Sequence, residues 1–340
     1  MNVLVTGGAG YVGSRLVPAL LTAGHRVAVL DKLIFGDESL SAVRSAIKLY
    51  PIDLRDVTVE HLRGVDAILH LAGISNDPSA AFNPAANTAI NLEGTLHLAN
   101  VAKAVGVGRF VFASSCSVYY SEQWSDQTHD ESNPIQPLAP YSWSKHQAEL
   151  GLLALHGPGF APVIFRKGTI YGSSPRMRYD LVVNTFTCDA YAKQRLTIHC
   201  GGKMSRPLLH IEDAIAAYMK ALTAPVELVG GRIFNVLSEN YTVMQLAKLV
   251  QQAVQRLTSS KIELDVQSVG IARSYRVTGE RFARELGFSP SGNIDAEVTA
   301  MWSELEAGLD PTAPIHYNIR WFELLSDMET RLRRMGGSVF

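Results

Sequence analysis

Cysteine is scarce in this chain. Cys116, Cys188 and Cys200 form an odd set of three with no C-x-x-C spacing. That argues against a disulfide framework and for reduced thiols, so a cytoplasmic location is expected. No group of His, Cys, Asp and Glu has the spacing of a metal site, and no metal is expected. No apolar run approaches the roughly 18–20 residues of a membrane helix. The chain opens on a strand pattern rather than a signal peptide. Charge of one sign is also missing: 31 Lys and Arg stand against 32 Asp and Glu, a net of −1. No overall field draws nucleic acid or an anionic membrane, and neither is an expected partner. Any phosphate must be recognised by a few local cations. Repeats, low-complexity tracts and linkers are absent as well. What is there, 340 residues with 47% hydrophobic, is ample for a large globular core.

The most informative stretch is VLVTGGAGYVG at 3–13. Val3, Leu4 and Val5 read as a buried parallel strand. Thr6-Gly7-Gly8-Ala9-Gly10 breaks it in a tight turn. Leu16, Val17, Leu20 and Leu21 then recur at helical spacing, with Gly24 as a stop. A strand feeding a helix through Gly7, Gly10 and Gly13 gathers free N–H groups and the positive helix end at one point. That point suits a pyrophosphate. RVAVLD at 26–31 is a second strand ending in Asp31. A carboxylate about 20 residues past such glycines accepts hydrogen bonds from ribose hydroxyls and repels a 2′-phosphate. NAD is expected in preference to NADP, with Lys32 softening that preference.

Strand and helix patterns alternate to about residue 170. Strand patterns lie at 46–53, 66–73, 109–115 and 161–168, and helical ones at 84–105 and about 140–155. Such alternation argues an α/β fold with a doubly wound parallel sheet, whose ligands gather at the carboxyl ends of the strands. Beyond 170 the alternation breaks down. Short strands at 196–200 and 232–236 mix with helices near 212–223 and 242–257. The expected organisation is a nucleotide-binding domain over 1–170, to which about 208–236 returns. A smaller cap over mainly 171–310 and a docked amphipathic helical tail over 311–340 complete it.

Tyr141 and Lys145 in PYSWSKHQAEL stand four residues apart, on one helix face. A free tyrosine has a pKa of about 10, and a nearby ammonium lowers it by stabilising the phenolate. A tyrosine so tuned moves a hydroxyl proton near neutral pH, and the lysine is still free to bond a ribose.

Together these features resemble the extended short-chain dehydrogenase/reductase family, which acts mostly on nucleotide-linked sugars. The resemblance runs over nearly the whole chain. It implies a Rossmann-type fold with a substrate-binding C-terminal cap, bound NAD, a nucleoside-diphosphate sugar as substrate and a homodimer paired through the helices near 84–105 and 140–155. TGGAGYVG resembles the family's cofactor loop, which adds Tyr11 and Val12 to the three glycines. Asp53 with Leu54 in YPIDLRD matches its adenine-side acid. Leu71, Ala72 and Gly73 of HLAG, Asn91 of INLEGT, Ser114, Lys167 and Gly168 fall at further cofactor positions. In SSCSVYY, Ser115 matches the catalytic hydroxyl that holds a sugar oxygen against Tyr141. Ser117 lies on the same strand face, whereas Cys116 points to the opposite one and reads as packing, although some family epimerases use a cysteine in this strand. Ser75, Ser115, Cys116, Ser117, Thr169, Asn184, Arg206 and Arg273 fall where the family contacts its substrate. Arginine forks match diphosphate oxygens. RPLLHIEDA at 206–214 and the segment 272–290 are similar to its late motifs, and His210 reads as a loop anchor.

The family's first step is hydride transfer from a sugar carbon while the tyrosine takes the hydroxyl proton. Its 4,6-dehydratases carry an Asp-Glu pair where this chain has Cys116 and Ser117. Its decarboxylases usually have Glu where Ser117 stands. A small hydroxyl residue at 117 suits a 4-epimerase, which returns the hydride to the other face of the keto sugar. A 4-ketoreductase would carry the same residues, and a catalytically silent dinucleotide sensor is a third reading. The intact Ser115, Tyr141 and Lys145 argue against the sensor. Three positions depart from the family pattern: Tyr120 replaces a glycine, Lys167-Gly168-Thr169 replaces an Asn-containing run, and Pro207 replaces an Asp.

Overall fold

The computed structural model of the chain describes residues 1–120, 127–269 and 274–337. Seven parallel strands form the central sheet: β1 (Asn2–Thr6), β2 (Arg26–Leu30), β3 (Ile47–Tyr50), β4 (Ala67–His70), β5 (Arg109–Ser115), β6 (Ala161–Lys167) and β7 (Arg232–Val236). Their order is β7-β6-β5-β4-β1-β2-β3, so the order of strand addition reverses between β1 and β4, where a crevice opens beyond the carboxyl ends. The strands are near-continuous apolar runs because both faces are covered. One face packs Val3, Val5 and Phe165 under α1 (Gly13–Thr22). The other packs Leu4, Ile68 and Phe110 under α2 (Thr95–Ala104) and α3 (Pro140–Ala154). Gly24, at φ +82, ends α1 where the sequence pattern stops.

The helix expected over 84–105 is present with a defect in its middle. Thr88–Gly94 is a π-helical turn just before α2. Thr95 Oγ1 bonds the Asn91 carbonyl at 2.8 Å, and the Asn91 side chain reaches out to the backbone of Ile74. Side-chain bonds that compete with the helical ladder widen the turn, and such bulges recur at functional sites.

After β6 the chain builds a three-stranded sheet from Thr169–Tyr171, Ser205–His210 and Glu239–Thr242. Around it lie α4 (Val182–Lys193), α5 (Ile211–Thr223), α6 (Val243–Thr258) and α7 (Ile294–Glu306). Buried residues of these elements join the core of the central sheet in one continuous cluster. The last helix, α8 (Asn318–Arg334), docks through its first turns only. Trp321 Nε1 donates to the Ile34 carbonyl at 2.7 Å and Phe322 meets Phe35, whereas Leu324 and Met328 are exposed. The docked amphipathic tail expected from the sequence is thus half docked.

A buried ion pair ties these layers together at the strand ends. Arg166 of β6 donates to Glu149 of α3, its shortest bond being 2.7 Å, and both side chains are buried. Ser114 of β5 also donates to Glu149, and Arg166 donates to the Tyr119 hydroxyl at 2.8 Å. Glu149→Ala leaves the guanidinium buried without its counter-charge and is expected to cost about 3–5 kcal/mol. Denaturant unfolding checks this, and a loss below about 1 kcal/mol, the worth of an exposed pair, would contradict it.

Candidate active site

The carboxyl ends of the strands open on one cavity of about 550 Å³. The glycine loop forms one end of it. Gly7 has φ +73, and a Cβ there would sit 2.7 Å from the Ala72 nitrogen. A Cβ on Gly13 would run into the Gly7 carbonyl, so only glycine brings strand, loop and helix this close. Gly10, Tyr11, Val12 and Gly13 line the cavity at the positive end of α1. The Asp31 carboxylate accepts from Ala9 N at 3.0 Å and Leu33 N at 2.8 Å, which fixes the loop against β2. Lys32 donates to Asp53 at 3.0 Å and is tied there rather than to Asp31. Arg55, with two further bonds, holds the Asp53 carboxyl well below the usual range. A cradle that a side chain would fill, a helix end and a strand-end carboxylate together fit the pyrophosphate and ribose of a dinucleotide.

Leu54, Leu71, Ala72, Gly73 and Ser75 continue the lining toward the far end. Asn91 stands behind this wall. Its amide oxygen accepts from Ile74 N and its amide nitrogen donates to Ile74 O, each at 2.8 Å. Contrary to the expectation of a cofactor contact, it does not line the cavity; it shapes the turn that does.

The far end is built from three segments. Ser114 and Ser115 end β5, Tyr141 opens α3 behind Pro140, and Lys167-Gly168-Thr169 leads out of β6. All of these line the cavity. The Ser115 side chain stands near enough to the Tyr141 phenol to pull its pKa down slightly. Lys145, one turn along α3, is buried behind the lining with Nζ 4.7 Å from the Phe112 ring centroid and 6.0 Å from that of Tyr141. The electrostatics differ from the sequence expectation. Burial pushes the Tyr141 pKa up to about 12, helped by Asp77, against the pull of Arg178 and Ser115. Burial and the neighbouring Lys167 push Lys145 down to about 7, so it is a weaker cation than the i, i+4 spacing implies.

Three expected substrate contacts fall elsewhere or outside. β5 ends at Ser115, and Cys116–Tyr119 is a 3₁₀ turn, so strand alternation does not apply there. Cys116 is buried away from the cavity and bonds the Arg166 carbonyl, and burial raises its thiol pKa. Ser117 does line the cavity, its buried hydroxyl without a hydrogen-bond partner. Asn184 is fully buried and spends its amide on Gly172, Tyr11 and Arg178, so it braces the loop 172–180 and makes no cavity wall. Arg273 lies outside the described residues. Arg206 lines the cavity, and His210 is anchored to Glu297 at 2.8 Å.

Other lining residues had no periodic signal. Arg178 pairs with Asp180 through two bonds of 2.8–2.9 Å and donates to Ser75 at 3.2 Å. Arg176 stacks 3.7 Å from the Phe35 ring and donates to Asn318 at 2.6 Å. Asn318 and Phe322 bring the C-terminal helix into the cavity wall. The polar cluster at 172–180 was visible in the sequence, but only the folded loop aims it inward.

Two lysines with lowered pKa values have a consequence for stability. Lys145 stands at about 7 and Lys167 at about 8, against an ordinary 10.5. Above pH 7 the unfolded chain therefore binds more protons than the folded one at these sites, and stability rises with pH. The thermal midpoint of the ligand-free protein is expected to climb from pH 7 to pH 9, and less steeply in the Lys145→Met/Lys167→Met variant. A wild-type midpoint that stays flat or falls would contradict this.

Comparison with known proteins agrees with this geometry. A UDP-glucuronic acid decarboxylase 2 of Arabidopsis thaliana is 32% identical over 261 residues, 75% of this chain and 57% of that enzyme. The match spans less than two thirds of the length of such decarboxylases. A crystal structure of a dTDP-glucose 4,6-dehydratase from Streptomyces venezuelae, with NAD and TYD bound, superposes with a TM-score of 0.78 at 27% identity, covering 92% of this chain and 99% of that one. A UDP-glucuronic acid 4-epimerase from Bacillus cereus shares the fold, with a TM-score of 0.79 at 21% identity over 90% of this chain and 99% of that one. The model of one family matches residues 3–236, from the first strand of the central sheet to the end of its seventh. The chain belongs to the NAD dependent epimerase/dehydratase family.

Proposed function

We propose that the protein is an NAD-dependent nucleotide-sugar 4-epimerase. The observation that carries this is the turn after Ser115. It sets Ser117 in the cavity wall with its hydroxyl buried and turns Cys116 inward, so the turn Cys116–Tyr119 places no carboxylate beside the Ser115–Tyr141 pair. Elimination of water from a sugar needs an acid and a base placed on it, and this turn offers neither. Hydride removal and return need only a proton relay.

NAD would supply the hydride acceptor and donor; the glycine loop would hold its pyrophosphate and Asp31 its ribose. Ser115 holds the C4 oxygen. Tyr141, beside Ser115 in the cavity wall, would take the hydroxyl proton at C4 and give it back to the inverted sugar. A phenol with a pKa near 12 holds its proton firmly, and the Arg178 cation favours its ionised form. Arg206, with its guanidinium 5.9 Å from the Tyr275 ring, suits the diphosphate. Trp143 and Leu150 lie on the exposed side of α3, and they support pairing of two chains through that helix. Among the described residues no helix is long and apolar enough to cross a membrane.

The test is a panel of UDP-, dTDP- and GDP-sugars given to the wild type and to Tyr141→Phe. Interconversion of a pair of 4-epimers without net reduced cofactor is expected. Tyr141→Phe should lower the rate by at least about 100-fold, as loss of a general acid–base does, while still binding NAD. Consumption of added NADH or NADPH by a 4-keto sugar alone would make the protein a ketoreductase. Unchanged turnover in Tyr141→Phe would remove the relay.

A further inference from the structure

Lys167 ends β6 directly beside Ser115 in the register of the sheet, and it lines the cavity. Its ammonium lies 5.6 Å from the Tyr218 ring centroid. Among the described residues no carboxylate lies within ion-pairing distance of it. Glu149 is committed to Arg166 and Asp180 to Arg178. The charges that act on Lys167 and Lys145 include each other's neighbourhood: Arg178 opposes the charge on Lys167, and Lys167 opposes that on Lys145. An ammonium taken from water and set among like charges is costly unless an anion joins it. The far end of the cavity therefore has a lysine in its wall with no carboxylate of the described residues paired to it.

A nucleotide sugar has two sources of negative charge, the diphosphate and a carboxylate on the sugar. Neighbouring strands lie about 4.8 Å apart, so Lys167 and Ser115, paired in register, open on the same end of the cavity. If C4 is held by that pair, which rests on the epimerase reading above, geometry separates the two sources. In a pyranose, C1 with its diphosphate lies across the ring from C4. C5, with the C6 group, is its direct neighbour. We propose that Lys167 receives a carboxylate at C6, and that the substrate is a nucleoside-diphospho-hexuronic acid rather than the neutral hexose.

Binding of UDP, UDP-glucose and UDP-glucuronate to the NAD-loaded protein, measured by calorimetry for the wild type and Lys167→Met, tests this, with the thymidine series run alongside. One charge-assisted hydrogen bond is worth a preference on the order of 10- to 100-fold. The wild type is expected to prefer the hexuronate to the hexose by that factor. Lys167→Met should bring the ratio close to one while its affinity for the nucleoside diphosphate alone stays within about threefold. A wild type that binds the hexose as well as the hexuronate would overturn the proposal and leave the epimerase reading standing. Equal weakening of all three ligands would assign Lys167 to the diphosphate, which also overturns it. Failure of every sugar nucleotide to bind would remove both readings together. Removing a buried charge is expected to raise the thermal midpoint of the variant at pH 7, which separates a binding defect from a folding one.

Discussion

The Glu149–Arg166 ion pair holds together the segments that meet at the chemical end of the cavity. Glu149 belongs to the helix that carries Tyr141 and Lys145, and Arg166 to the strand that ends in Lys167. Ser114 bonds Glu149 one residue before Ser115. Tyr119, bonded to both Arg166 and Asn235, pins the turn that presents Ser117. A buried pair of this kind stabilises little against an apolar substitute, but its loss leaves a bare charge. Its worth here is geometric: it sets the distance between a hydroxyl, a phenol and two lysines that come from three separate segments.

The cavity is divided electrically. Asp31 and Asp53 stand at the glycine-loop end, with Lys32 and Arg55 bound to Asp53. Lys167, Arg178 and Arg206 line the other end beside Asp77 and Asp180, the latter paired with Arg178, and Lys145 lies just behind it, so cations outnumber carboxylates there. An anionic ligand laid along the groove would bring its charge to the cationic end. Burial dominates both signs of shift there, raising the phenol and lowering the lysines.

The sheet and the glycine loop could be read from the sequence because they rest on local patterns. Apolar runs, glycine spacing and the i, i+4 separation of Tyr141 and Lys145 are properties of neighbouring residues. The parts that escaped depend on distant contacts. Asn184 has the chemistry of a ligand contact, yet it spends its amide on bonds to Gly172, Tyr11 and Arg178. Cys116 packs inward as read, but through a 3₁₀ turn that follows Ser115 rather than through strand alternation. The π turn at Asn91 needs Ile74, seventeen residues away, to draw its side chain outward. Arg176 and Asn318 meet across more than a hundred residues, and no period in the chain announces them.

Under the proposed reading, hydride leaves and returns to C4 within one site while Tyr141 relays the hydroxyl proton. The direct measurement uses an accepted nucleotide sugar carrying deuterium at C4, followed by analysis of the product by NMR in the presence of excess unlabelled NADH. Full retention of deuterium at C4 in the inverted product is the predicted result. Washout of the label, or its appearance in the free reduced cofactor, would contradict it.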